Sequence, residues 1–292
     1  DFKYYFVLET SPTKNEYPYL LDAFVTYSRF TWARASVGQF KSPFSLELNT
    51  SCSKLHTINR SKVVSELASP DRDLGVMIVG GGDTTFVKYA IGFMNGTGKG
   101  IVDDNSNKNI IGRIVFNPFE FLSFGGSFKY GTAPPADATA DEEDTKTIFG
   151  GELQIKYSDF LFQSEYIYGD FAGSYTTGGG CGAPIEVHQG SVKKSGFYAQ
   201  AMYMTPWNFQ PVVKFESFDP DLDKDRDGAE ASVDTDDEYT FKQADHGFQN
   251  TITFGVNYFF NDWTRLQINY LYQAEEIEFE NDMFMIQIQA KF

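Results

Sequence analysis

Apolar and polar residues alternate along this chain in segments of about ten residues, with turn-forming residues between them. The last segment shows it plainly: Phe284, Ile286, Ile288, Ala290 and Phe292 alternate with Met285, Gln287, Gln289 and Lys291. Leu266, Ile268, Tyr270 and Tyr272 alternate with Arg265, Gln267, Asn269 and Gln273. Ile252, Phe254, Val256 and Tyr258 alternate with Thr251, Thr253, Gly255 and Asn257. In mid-chain, Phe149, Leu153, Ile155 and Tyr157 alternate with Ile148, Glu152, Gln154 and Lys156. A period of two sends successive side chains to opposite faces of a strand. Each strand thus has one apolar and one polar face, and the predicted fold class is all-β and antiparallel.

The connectors alternate between short and long. The short ones are Ser28 to Trp32, Gly81 to Thr85, Asn117 to Glu120, Ser158–Asp159, Thr205 to Asn208 and Asn261–Asp262; the long ones begin near Thr10, Lys41, Asn95, Gly131, Asp170, Asp219 and Ala274. Short turns on one rim and long loops on the other are the layout of a transmembrane β-barrel of the outer membrane, here with about fourteen visible strands. A soluble sandwich is the alternative, but its strands usually run only ~5–6 residues. The apolar faces here also end in aromatic residues, as membrane-interface girdles do. The terminal "MFMIQIQAKF" resembles the C-terminal signature by which barrel substrates are recognised for outer-membrane assembly. Residues 1–292 therefore read as a single barrel domain.

Composition changes this picture little. The formal net charge of −16 argues against a nucleic-acid partner, because phosphate backbones would be repelled. No stretch approaches ~18 consecutive apolar residues, so no transmembrane helix is expected. The two cysteines have no metal-binding spacing. The chain begins at Asp1 without a targeting segment and is read as processed, or as lacking its first residues.

"RASVGQFKSPFSLEL" (Arg34 to Leu48) resembles a segment of the phosphate-selective porins O and P, in which a strand leads through a turn into a long loop. "DFKYYFVLE", "YLLDAFVTYS", "RDLGVMIVGG", "KSGFYAQAMYM" and "TITFGVNYFFNDWTRLQINYLY" are similar to that family in the same order. The resemblance implies a homotrimeric porin of about sixteen strands in a Gram-negative outer membrane, in contact with lipid and lipopolysaccharide. Two strands would then precede Asp1. It also implies that residues 41–72 form the third outer loop, folded inward as a constriction, with Lys41, Lys54, His56, Arg60 and Lys62 as candidates to line it. Within it, "TINRSKVVSELA" is helix-like. The alternative is a solvated loop across the mouth. Ser36 and Gln39 stand at inward or near-inward places that are basic in the family's anion-selective members, a departure that weakens the case for tight phosphate binding.

Strand charges should face the interior, since Lys or Arg on the lipid face costs ~2–4 kcal/mol at the midplane. Arg34, Lys88, Arg113, Lys129, Lys156, Lys214 and Arg265 fall on the polar parity and are the candidate pore-lining residues; Lys3, Lys146 and Lys291 share it. The acids on that parity are fewer: Glu9, Asp22, Glu152, Glu165 and Glu216. A net basic interior predicts a weakly anion-preferring passive pore for small solutes. The alternative role for each basic residue is a salt bridge bracing the wall, as Lys214 beside Glu216 or Glu152 beside Lys156. A second function class is a structural barrel whose acidic outer loops dock another surface component.

No enzymatic constellation or required cofactor is apparent, and the histidines are all expected in outer loops. Cys52 and Cys181 both fall on the oxidising outer side and form a candidate disulfide. The acidic outer loop 219–246 contains "DPDLDKDRDGAEASVD". Strands rather than helices flank it, so it is no EF-hand, but Asp223, Asp225, Asp227 and Asp234 are candidate ligands for a weak calcium site. Simple solvation, or cations bridging to lipopolysaccharide, are the alternatives.

Overall fold

A computed structural model describes residues 1–10, 19–82, 84–100, 107–133, 144–178, 185–222, 248–275 and 281–291. Fourteen strands form one antiparallel sheet in simple chain order. They are β1 (Phe2–Glu9), β2 (Tyr19–Tyr27), β3 (Arg34–Lys41), β4 (Arg72–Gly80), β5 (Val87–Met94), β6 (Asn109–Phe119) and β7 (Leu122–Ala133), then β8 (Asp144–Tyr157), β9 (Phe160–Gly178), β10 (Ile185–Tyr203), β11 (Phe209–Asp219), β12 (Gln249–Phe259), β13 (Thr264–Glu275) and β14 (Met283–Ala290). Two short helices, α1 (Leu46–Asn49) and α2 (Lys62–Leu67), lie between β3 and β4.

From β8 to β13 the register carries the two faces across the sheet without a slip of parity. Leu153, Ser164, Ala199, Phe215, Ile252 and Tyr272 stand side by side on one face of β8 to β13. Gln154, Gln163, Gln200, Lys214, Thr253 and Leu271 stand side by side on the other. The apolar face is the uncovered one: Val37 is 59% exposed, Ile286 60% and Ile288 72%. A soluble sheet would hide that face in a core; this one presents it outward, as a lipid-facing wall does. Trp32, Phe86, Phe119, Tyr157, Trp207 and Trp263 are exposed around the short-turn end, where an aromatic girdle belongs.

The core sits on the polar face. Phe44, Leu48, Val63, Val64 and Leu67 of the β3–β4 segment pack with Phe40, Met94, Ile111, Ile148, Ile167 and Tyr198. These inward apolar residues look out of place in a polar wall until the segment covers them.

Four expectations need correction. Residues 170–193 are mostly strand: β9 and β10 pair from Phe160↔Tyr203 to Gly178↔Ile185, so the connector shrinks to the glycine-rich stretch between them. The β6–β7 turn is tighter than Asn117 to Glu120, because β6 continues to Phe119 through an irregularity after Phe116. The helix in "TINRSKVVSELA" starts only at Lys62, where the Ser61 hydroxyl accepts a bond from the Val64 N–H. His188 falls on β10 rather than in a loop.

Candidate pore interior

The β3–β4 segment leaves the long-loop end and runs down the inner face. Ser45 opens α1 at a φ of 69°, a left-handed conformation uncommon for a non-glycine residue. Its N–H donates to Ser127 Oγ and its hydroxyl to Glu165 Oε2. Glu165 also accepts from the Leu46 and Glu47 N–H groups and from Tyr198 Oη at 2.9 Å. One carboxylate on β9 thereby satisfies the free donors at the start of α1.

Glu47 completes a second anchor. It accepts from the Ser61 N–H and hydroxyl, both at 2.7 Å, and from Lys214 Nζ on β11 at 3.1 Å. Lys214 also pairs with Glu216 at 2.9 Å and lies over the Tyr198 ring. Glu216 in turn accepts from the Lys62 N–H. The Lys214–Glu47 pair is nearly sealed, with side chains 1% and 3% exposed. Buried ions survive only when paired and hydrogen-bonded, and this pair is both.

The tip of the segment reaches the short-turn end. Arg265 Nη2 and Gln289 Nε2 donate to the Cys52 carbonyl, Gln267 to that of Leu55 and Asn257 to that of His56. His56 Nδ1 lies 3.2 Å from Gln210 Oε1. Burial lowers the His56 imidazole below its ordinary 6.5; the Gln210 hydrogen bond works against this and the Arg265 charge works with it. The segment then returns through α2, and the Ser69 carbonyl accepts from Lys129 Nζ at 2.7 Å.

The candidate pore-lining residues therefore divide. Lys129 and Lys214 face inward but are covered by this segment, at 0% and 1% exposure, so neither lines open space. Arg113 makes a bidentate pair with Glu152, both bonds at 2.7 Å; Glu152 does not pair with Lys156. Arg265 is 6% exposed and occupied by Gln289 and Cys52. Lys156 is exposed, and Arg34 and Lys88 are partly so.

The residues of 41–72 divide too. Lys41 donates to the carbonyls of Leu48 and Thr50, and Arg60 to those of Glu47 and Thr50. Lys62 Nζ donates to Gln249. These cations and His56 shape the fold of the segment, while Lys54 is exposed. The anchors that the sequence reading missed are Ser45, Glu47 and Ser61; the S-x-x pattern of a helix start was their one signal.

Most of the inner carboxylates share one fate. Asp22 pairs with Arg72 at 2.9 Å, Asp73 accepts from the Leu74 and Gly96 N–H groups, and Glu152, Glu165 and Glu216 are consumed as above. Asp22, Asp73, Glu165 and Glu216 are buried, and the Glu152 side chain is 5% exposed. Lys3, Lys54, Lys156 and Lys291 remain exposed. Folding thus hides most acids of the inner wall, Glu9 staying partly exposed, and leaves these lysines at its surface.

Cys52 is exposed at the short-turn end of the sheet, and the expected disulfide with Cys181 falls outside the described residues. Cys181 lies outside the described residues; its described neighbours Gly178 and Ile185 end the β9–β10 hairpin at the opposite end of the strands. Asp223, Asp225, Asp227 and Asp234 also lie outside the described residues. Among the described residues, no group of three His, Cys, Asp or Glu is placed to hold a metal.

A 14-stranded up-and-down sheet with an apolar exterior and an inward-folded segment is an outer-membrane porin barrel. The chain belongs to the phosphate-selective porin O and P family, whose model matches residues 123–282, more than half of its length. It is an integral protein of a Gram-negative outer membrane. The motif at Arg34 to Leu48 lies outside the matched range. No curated protein matches the chain in sequence. Among solved structures, the outer membrane channel DcaP of Acinetobacter baumannii is similar at 12% identity, covering 99% of this chain and 78% of that one, with a TM-score of 0.62. The anion-selective porin from Comamonas acidovorans is similar at 10% identity, 87% and 67% coverage, and a TM-score of 0.57. The trimer form of OmpT from Vibrio cholerae is similar at 12% identity, 88% and 71% coverage, and a TM-score of 0.55. At such identities the likeness shows the fold alone.

Proposed function

We propose that the protein is a passive diffusion channel with a preference for small anions, inorganic phosphate among the candidate solutes. The observation that carries this reading is the sorting of charge on the inner wall. Asp22, Asp73, Glu152, Glu165 and Glu216 are buried or ion-paired and Glu66 on α2 is exposed, whereas Lys3, Lys54, Lys156 and Lys291 stay exposed, so base outnumbers acid at the accessible surface. Accessible base with concealed acid favours anions in a pore. The whole chain's charge of −16 does not decide this, because ions in the interior meet the local surface first. No reaction is assigned to the chain, so the reading is a channel and not an enzyme. A homotrimer is the proposed assembly, supported by the trimeric OmpT among the similar structures; cross-linking of the purified protein tests it. The channel reading is tested by the reversal potential of the purified protein in a planar bilayer under a potassium chloride gradient. A sign showing chloride moving more readily supports it, and potassium preference overturns the charge argument.

A further inference from the structure

The inner face of β1 to β4 differs from the rest of the wall. Tyr5 and Phe24 stack across β1 and β2 with ring centroids 5.1 Å apart and planes 30° apart. Phe24 meets Phe40 edge-on at 5.8 Å, and Phe40 belongs to the core under the β3–β4 segment. All three rings therefore point inward. The stack ends in the open, with Tyr5 55% exposed. Met77 on β4 is only partly buried on the same face. A polar pore has no evident use for an inward tyrosine stacked on a phenylalanine and left uncovered.

Charge stands beside the rings. Lys3 is one step from Tyr5 on the same face of β1, level with Thr26, Ser36 and Met77. Arg34 is one step further toward the short-turn end, level with Val79. Same-face steps along a strand are about 7 Å apart. Lys3 is exposed and Arg34 partly so; Arg34 donates to the Gly81 carbonyl, and neither cation has a carboxylate partner among the described residues.

We propose that this strip is a binding site for organic anions with an apolar body, aromatic carboxylates above all. The body lies against Tyr5, Phe24 and Met77 and the anionic group is held by Lys3 and Arg34. The proposal rests on the anion-channel reading and narrows its substrate class.

The test uses the full chain in planar bilayers, with chloride current measured as benzoate or acetate is added. Benzoate is expected to reduce the current at concentrations where acetate does not. Tyr5→Ser should raise the half-blocking benzoate concentration about two- to tenfold, the range for loss of one aromatic contact. Tyr5→Phe, which keeps the ring, should restore the block. Lys3→Gln should weaken binding of both acids. Tyr5 is largely exposed, so Tyr5→Ser removes little packing; Tyr5→Phe and Lys3→Gln give independent readings. Equal block by benzoate and acetate, or a Tyr5→Ser channel blocked like the parent, would overturn the site while leaving anion preference standing. A cation-preferring parent channel would overturn both.

Discussion

The inner face of β8 to β13 and the inner face of β1 to β4 belong to the same sheet and have opposite uses. The first is rich in polar and charged side chains, and many of them hold the β3–β4 segment: Glu165, Lys214, Glu216, Asn257 and Gln267. The second carries rings, methionine and two cations without a carboxylate partner among the described residues, and its β1 side stays open at Lys3 and Tyr5. The more polar wall is thus the one that solutes meet least. A charge on the inward parity is a statement about direction; whether it meets water depends on what folds over it.

The largest expected effect comes from breaking the covered side. Glu47→Ala leaves Lys214 without one of its two carboxylates and Ser61 without its acceptor. Removing one partner of a buried pair costs about 3–5 kcal/mol. Thermal unfolding in detergent should fall accordingly, and single-channel conductance should rise as the segment loosens. Unchanged conductance would mean that the segment does not narrow the pore.

A substitution at an exposed residue of the largely covered wall, Lys156 on β8, should separate stability from selectivity. Lys156→Gln alters an exposed residue, so stability should stay within about 0.5 kcal/mol. Reversal potential should nevertheless move toward zero. A drop in stability without that movement would erase the distinction between exposed and covered residues.

Acid should act on the covered side through His56. Its imidazole is held below 6.5 mainly by burial, so the folded protein binds the proton less well than the unfolded chain. Its stabilising contribution is in place above about pH 6.5 and is lost as the pH falls through the lower folded value. Conductance noise from the segment should therefore grow on acidification, and His56→Gln should flatten that dependence. Noise that grows equally in both proteins would point to other groups.

The smallest effect is expected at Cys52. It should react with a maleimide without prior reduction and with no change in unfolding temperature. A thiol that appears only after reductant would restore the disulfide reading.

The strands and the side of each charge were legible in the sequence because a period of two needs no knowledge of the rest of the fold. Arg34, Lys88 and Lys214 all fall on the inward parity as read. What covers them was not legible. Glu47 in "SLEL" looks like any loop acid, yet its partner Lys214 is 167 positions away. Inward Ile111, Ile148 and Ile167 read as interruptions of the polar parity, and only the path of Phe44 to Leu67 explains them. The β9–β10 hairpin was misread because glycines and threonines in it resemble a loop, while the pairing carries on to Gly178. The stack of Tyr5 on Phe24 appears only when β1 and β2 are set in register.

The central claim is that the open wall, and not the covered one, sets the charge preference of the pore. Reversal potential under a potassium chloride gradient tests it directly across three channels: the parent, Lys3→Gln with Arg34→Gln, and Lys129→Met. The parent should prefer chloride, the double variant should move clearly toward zero, and Lys129→Met should match the parent because that lysine is sealed under the segment. A Lys129→Met channel shifted as far as the double variant would contradict the account.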